Sequence, residues 1–188
     1  MTVLSPLILG LSGVVLLVEG WPALFLQKRP GLRAKPFVLI KFRTMVVGAD
    51  STGDEPRTVT RLGSFLRKTS LDELPSLWNI VRGDMSFVGP RPLLEEYLEI
   101  YSQNHSRRHA VRPGLTGLAQ VAGRNLVSWA ERLDIDIVYV NSYSFLLDLR
   151  ILMRTTRVVL SSQGVNQADG SMMTPLFEGY ESSGSDIT

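Results

Sequence analysis

Apolar residues crowd the start of the chain: from Met1 to Val18 there is no charged side chain, and Leu, Ile and Val dominate. The run lacks the basic opening and the small-residue cleavage site of a signal peptide. A membrane crossing of ~30 Å takes ~20 helical residues, whereas Pro6 interrupts the run and leaves about 13, or ~20 Å of helix. The pattern therefore predicts either a buried core helix or a re-entrant or interfacial arm. Pro6 would kink any helix begun upstream, because proline removes a backbone donor.

Beyond Gly20-Trp21-Pro22 the blocks are shorter. Phe37 to Phe42 reads as a strand of β-formers, and Gly48 to Pro56 as a polar loop. Helical spacing recurs at Trp78 to Val81, Leu93 to Tyr101, Ser128 to Tyr143 and Leu149 to Ser161, with a turn-rich segment from Gly83 to Pro92. In the last of these helices Arg150, Arg154 and Arg157 share one face beside apolar Leu149, Leu152, Met153, Val159 and Leu160. That is a basic amphipathic helix, either a solvated face over a core or a contact with anionic lipid headgroups. A Ser/Gly-rich tail after Glu181 predicts disorder, and no internal repeat is visible. The blocks predict an α/β fold, mostly helical with few short strands.

Composition adds exclusions. The 188 residues suffice for one domain with its own core, and 44% apolar with 20% charged is the balance of a folded protein. The absence of cysteine excludes a disulfide framework, a cysteine nucleophile and thiolate metal sites. Net charge is only +2, so the placement of basic residues matters more than their number. No phosphate-binding glycine loop, dinucleotide fingerprint or nucleic-acid module is present. His105 and His109 stand four apart, but Arg107 and Arg108 lie between them where a zinc helix would carry Glu, so they read as solvated side chains. Trp78, Trp129 and Tyr139 read as core or membrane-interface aromatics.

The densest chemistry runs from Arg67 to Pro92, RKTSLDELPSLWNIVRGDMSFVGPRP. Ser70 to Glu73 matches a helix capping box, and acidic residues in a first turn are commonplace. Two features point beyond a cap. Pro75 would delete a hydrogen bond just past Asp72-Glu73. Arg67 lies five residues before Asp72, and Arg91 is locked between Pro90 and Pro92, so rigid cations can converge on the carboxylates. A carboxylate at a helix N-terminus facing guanidinium groups is expected to keep a low pKa and stay ionised, as an oxygen nucleophile for phosphorus must. Arg forks and Mg²⁺ suit diphosphate oxygens, and a neighbouring carboxylate suits the metal.

Here the chain resembles the bacterial monotopic phosphoglycosyl transferases (bacterial sugar transferases), especially the small PglC-like members. Besides Ser70-Leu-Asp-Glu-Leu74 and Gly83 to Pro92, the resemblance rests on Leu4-Ser-Pro6, Gln27-Lys-Arg-Pro-Gly31 and Lys41-Phe-Arg-Thr-Met45. It continues through Arg112-Pro-Gly-Leu-Thr-Gly-Leu-Ala-Gln120, Gly123-Arg-Asn125 and Ser144-Phe-Leu-Leu-Asp-Leu149, covering nearly the whole chain.

The resemblance implies transfer of a sugar 1-phosphate from a UDP-sugar to polyprenyl (undecaprenyl) phosphate, with release of UMP and a covalent intermediate on Asp72. It implies Glu73 as a ligand for Mg²⁺, with Mn²⁺ as a substitute. Lys41, Arg67, Arg91 and Arg112 would contact phosphate or substrate, and Gln120, Arg124 and Asn125 nucleotide or acceptor. It also implies a monotopic protein on the cytoplasmic face of the bacterial inner membrane, without nucleic acid and upstream of other glycosyltransferases. Residues 1–20 would form the membrane-associated helix, 21–180 the catalytic domain and 181–188 a flexible tail. Family members begin roughly one helical arm earlier, so the resemblance implies either a truncated start or a protein that holds the membrane through the remaining limb and surface helices. Two rivals remain: a soluble UDP-sugar glycosyltransferase that releases UDP, and a non-catalytic membrane scaffold.

Overall fold

A computed structural model describes residues 5–46, 58–122 and 128–160. The polar loop expected at Gly48 to Pro56, the tail after Glu181, and Arg124 and Asn125 lie outside the described residues. The fold is mostly helical with a few short strands.

The apolar run forms α1 (Ser5–Glu19). Pro6 sits in its first turn, where an N–H would have no helical partner to lose. Ile8, Leu11 and Val15 pack on Ala23, Phe42 and Leu66, while Leu9, Leu16, Leu17 and Val18 stay exposed. One stripe of α1 is thus core, and the rest is apolar surface. No described helix is long and apolar enough to cross a membrane.

β1 (Leu24–Pro30) and β2 (Pro36–Phe42) form an antiparallel hairpin in which Leu24 faces Phe42. Side chains from the next layer bind the backbone of β2. The Ser76 hydroxyl donates to the Ile40 carbonyl (2.7 Å), Asn79 Nδ2 donates to the Val38 carbonyl (2.8 Å), and Asn79 Oδ1 accepts from the Ile40 N–H (3.2 Å). Both residues are wholly buried, so their polar atoms must find partners, and the β2 backbone supplies them. They belong to a 3₁₀ turn, Leu71–Ser76, and to α3 (Leu77–Arg82). The turn carrying Asp72 and Glu73 is thereby strapped along the strand carrying Lys41.

Two-residue strands β3 (Met45–Val46) and β4 (Thr58–Val59) pair ahead of α2 (Arg61–Lys68). β5 (Ser86–Val88) then pairs in parallel with β6 (Gly114–Thr116). The two backbones nearly touch: a Cβ on Gly114 would lie 2.1 Å from the Gly89 nitrogen, and one on Gly117 2.2 Å from the Gly89 oxygen. Across this approach the Gly114 N–H donates to the Pro90 carbonyl (3.0 Å) and the Gly89 N–H to the Thr116 carbonyl (2.9 Å).

The helix expected over Leu93 to Tyr101 is only a 3₁₀ turn, Glu95–Glu99. Leu94 is still extended, and Ser102 already caps a new helix, α4 (Gln103–Ser106), which leaves too few residues for a full α-turn ladder. A 3₁₀ turn, Arg107–Ala110, and α5 (Leu118–Ala122) follow. α6 (Trp129–Ser142) opens with a capping box made by Ser128 and Glu131. α7 (Phe145–Leu160) begins four residues before the expected Leu149, because the Ser144 hydroxyl accepts from the Leu147 N–H (3.3 Å). Tyr139 and Ile151 bury beside Val88, and the Tyr139 hydroxyl donates to Asp148 (2.9 Å). Arg150, Arg154 and Arg157 are exposed, and so are Leu149, Leu152 and Met153. A solvated basic face over a buried apolar one does not describe this helix, since much of its apolar surface is uncovered as well.

Candidate active site

The cap expected at Ser70 does not form. Ser70 takes a left-handed backbone (φ 58°) and makes no side-chain cap bond, because a side-chain cap requires an extended N-cap residue. Glu73 is therefore not drawn back to the Ser70 N–H. Its Oε1 instead accepts from Lys41 Nζ (2.5 Å) and Arg91 Nη2 (2.9 Å). These three side chains come from β2, the 3₁₀ turn and the Pro90-Arg91-Pro92 segment, which are separate in sequence.

This arrangement reverses the expected electrostatics. Burial pushes Glu73 up, but Arg91 and Lys41 more than offset it and hold the carboxyl at about 2. Burial pushes Asp72 up to about 6, the Glu73 charge adds to this, and Lys41, Arg91 and Arg67 pull it back only in part. The low pKa expected of Asp72 thus belongs to Glu73, because the cations pair with the second carboxylate. A carboxyl at about 6 is still mainly ionised at neutral pH, and it is the more basic oxygen of the two. Burial also lowers Lys41, with Glu73 acting in the opposite direction.

A cavity of about 290 Å³ opens beside the cluster, lined by Lys41, Glu73, Arg91 and Arg29 and by apolar Leu94, Leu115, Tyr97 and Trp129. Trp129, expected in the core or at a membrane interface, is a cavity wall. Arg67 is half-buried, donates to the Thr44 hydroxyl (2.9 Å) and acts on Asp72 through its charge. Arg112 is exposed and donates to the Gly83 carbonyl (2.8 Å), bracing the turn after α3, and it is not part of the cavity lining. Gln120 donates to the Leu115 carbonyl (3.1 Å) behind the cavity wall.

Sequence reasoning missed the support behind Arg91. Arg108 (3% exposed) donates through Nη2 to Asp136 Oδ2 (2.7 Å) and to the Arg91 carbonyl (2.7 Å), and through Nη1 to the Tyr101 hydroxyl (3.0 Å). Asp136 interrupts the buried stripe Leu133, Ile137, Val140 of α6. An acid at a core position is a sequence-level sign of a buried ion pair.

The two histidines serve different partners. His105 Nε2 lies 2.9 Å from Asp134 Oδ1, whereas the His109 ring packs against Tyr101 at a tilt of 46°, with centroids 5.8 Å apart. His109 is half-buried rather than solvated, and burial followed by the Arg108 charge lowers its pKa from 6.5 to about 4. The unfolded chain takes up this proton near pH 6.5 and the folded chain only near 4, so stability present above 6.5 is lost as pH falls toward 4. Thermal melts at pH 7 and pH 5 should show a smaller loss in His109→Gln than in the parent. An equal loss would contradict the buried neutral imidazole.

A sequence profile of the family described as bacterial sugar transferase matches residues 1–162. The chain is 50% identical over 169 residues to the uncharacterized sugar transferase EpsL of Bacillus subtilis, covering 88% of this chain and 83% of that protein. It is 40% identical over 173 residues to the UDP-glucose:undecaprenyl-phosphate glucose-1-phosphate transferase of Caulobacter vibrioides, covering 84% of this chain and 64% of that one. It is 38% identical over 167 residues to the undecaprenyl-phosphate galactose phosphotransferase of Salmonella typhimurium, covering 78% and 35%.

Proposed function

We infer the reaction from kinship: this chain belongs to the bacterial sugar transferase family. It transfers a sugar 1-phosphate from a UDP-sugar to undecaprenyl phosphate, the class of reaction named for the Caulobacter relative, and the Salmonella relative is named an undecaprenyl-phosphate phosphotransferase too. The structural observation that supports this reading is the Lys41–Glu73–Arg91 cluster beside Asp72, in which cations from β2 and from the Pro90-Arg91-Pro92 segment meet at the acidic pair.

In the first half-reaction a carboxylate oxygen of Asp72 attacks the β-phosphorus of the donor. The bond from that phosphorus to the bridging oxygen breaks, and UMP leaves with the electron pair. In the second, a phosphate oxygen of the lipid attacks the same phosphorus and the Asp72–phosphorus bond breaks. The product is a polyprenyl diphosphate sugar, and the carboxylate is restored. Lys41 and Arg91 offset the phosphate charge that would repel an attacking carboxylate.

Among the described residues no group of three or more acidic, histidine or cysteine side chains is arranged for a metal. Glu73, whose Oε1 is shared by Lys41 and Arg91, would offer its other carboxylate oxygen to Mg²⁺ or Mn²⁺, since Mg²⁺ is usually held by one or two carboxylates plus phosphate. The ion would add positive charge at the transferred phosphate. Residues 1–20 and the exposed face of α7, with Leu149, Met153, Arg150, Arg154 and Arg157, are the parts suited to rest on the cytoplasmic surface of an anionic membrane. Residues 21–180 then form the catalytic domain.

The nucleotide product tests this reading. With undecaprenyl phosphate and UDP-glucose, UDP-galactose or UDP-N-acetylglucosamine, UMP is expected, and excess EDTA should stop its release. UDP as product would mark a glycosyltransferase that moves the sugar alone, and no turnover with any donor would leave a scaffold. Full activity in EDTA would remove the metal from the mechanism.

A further inference from the structure

We propose that Arg29 is a phosphate-binding residue of the cavity, placed to hold a phosphate of the nucleotide donor or of the lipid acceptor. The inference rests on the transferase reading above. Arg29 comes from β1, opposite Phe37 of β2, and lines the same cavity as Lys41 and Arg91.

Three cations therefore face one space, but their circumstances differ. Lys41 and Arg91 share the carboxylate of Glu73. Arg29 pairs with no described carboxylate. Its Nη2 donates to the neutral Gln27 amide oxygen (2.6 Å), and its Nε is buried with no hydrogen-bond partner. A buried donor without an acceptor is destabilising, and a partly desolvated cation without a bonded anion more so, since Glu96 acts on Arg29 only through its charge and weakly. Burial, and next the charge of Arg91, depress its pKa to about 10, so the two guanidinium groups repel each other. Lys41, Arg91 and Arg29 outnumber the neighbouring carboxylates of Glu73 and Asp72 by one positive charge.

A phosphate oxygen set against Arg29 satisfies the orphaned Nε, balances the excess charge and relieves the repulsion from Arg91. The planar guanidinium matches phosphate oxygens in a two-pronged contact that an ammonium group cannot make. No protein acceptor in the described structure does the same.

The test uses the full chain in detergent, as parent, Arg29→Gln and Arg29→Lys. UMP binding is measured by calorimetry, and KM is measured for the UDP-sugar and for undecaprenyl phosphate. A loss of at least about fivefold in UMP affinity, with the acceptor KM unchanged, assigns Arg29 to the donor phosphates. A rise of about fivefold or more in acceptor KM alone assigns it to the lipid phosphate. Smaller changes in both, with the thermal midpoint unchanged, overturn the proposal. If Arg29→Gln does not fold, Arg29→Lys decides on the same threshold, since it keeps the charge and stem but loses the fork. A parent that binds UMP yet turns over no UDP-sugar defeats the transferase reading and still leaves Arg29 measurable by calorimetry. A parent that does neither defeats both.

Discussion

Asp72→Asn is expected to be folded and to release no UMP from any UDP-sugar. Asn is nearly isosteric with Asp and accepts hydrogen bonds through its amide oxygen, but it cannot form an acyl phosphate. The fold itself places the ionised Asp72 at a disadvantage, since burial and the adjacent Glu73 charge raise its pKa to about 6. Replacing it with a neutral amide therefore removes a destabilising charge, and the thermal midpoint of the variant should equal or exceed that of the parent. A purely structural Asp72 predicts the same melting behaviour with near-parental turnover, so the kinetics separate the two. Withholding the lipid acceptor sharpens the contrast. The parent should gain the mass of one sugar phosphate per chain, and the variant should gain none. Loss of a covalent nucleophile lowers rates by many orders of magnitude, whereas ~1.4 kcal/mol of misplacement changes them only about tenfold. Turnover of the Asn variant within that margin would falsify the covalent mechanism.

The largest loss of stability is expected from Arg108→Met. The substitution leaves the Asp136 carboxylate, 4% exposed, without its cation, and strips the Tyr101 hydroxyl and the Arg91 carbonyl of a donor. Burial already pushes Asp136 above the usual carboxylate range, with Arg108 restraining the rise. Breaking a buried ion pair from one side costs about 3–5 kcal/mol, which for a domain of this size is roughly 10 °C in thermal midpoint. Adding Asp136→Leu removes the stranded charge and should restore most of that loss. It does not restore the hydrogen bond to the Arg91 carbonyl, so the double variant should melt near the parent and still turn over more slowly. A single variant that melts within about two degrees of the parent would show that Arg108 and Asp136 are not the buried pair described.

The parts of this molecule that were legible in sequence are those written in local pattern. β2, α3 and the two C-terminal helices follow from runs of β-formers and from helical spacing. β5 and β6 are too short to show a period, and they become strands only because two distant glycines allow parallel backbones to meet. Asp72, Glu73 and the rigidity of Arg91 between two prolines were visible, but not which carboxylate the cations hold. That depends on Ser76 and Asn79 lying against β2, two polar residues whose burial no local pattern announces. The same limit explains the capping box sought at Ser70 and found at Ser128. Both have a serine three residues before a glutamate, and backbone conformation alone separates them.

For directed evolution, the meeting of the two backbones at Gly89, Gly114 and Gly117 is a fixed seam beside the editable positions of the pocket. No substitution at these three positions fits without prising β5 from β6 and moving the Pro90-Arg91-Pro92 segment, so library members changed there are lost to misfolding before donor choice is ever sampled. Leu94, Leu115 and Trp129 line the same cavity with side chains instead of backbone, and their size and polarity can change while the charged wall stays in place. On the transferase reading proposed above, substitutions at those three positions are expected to change donor preference.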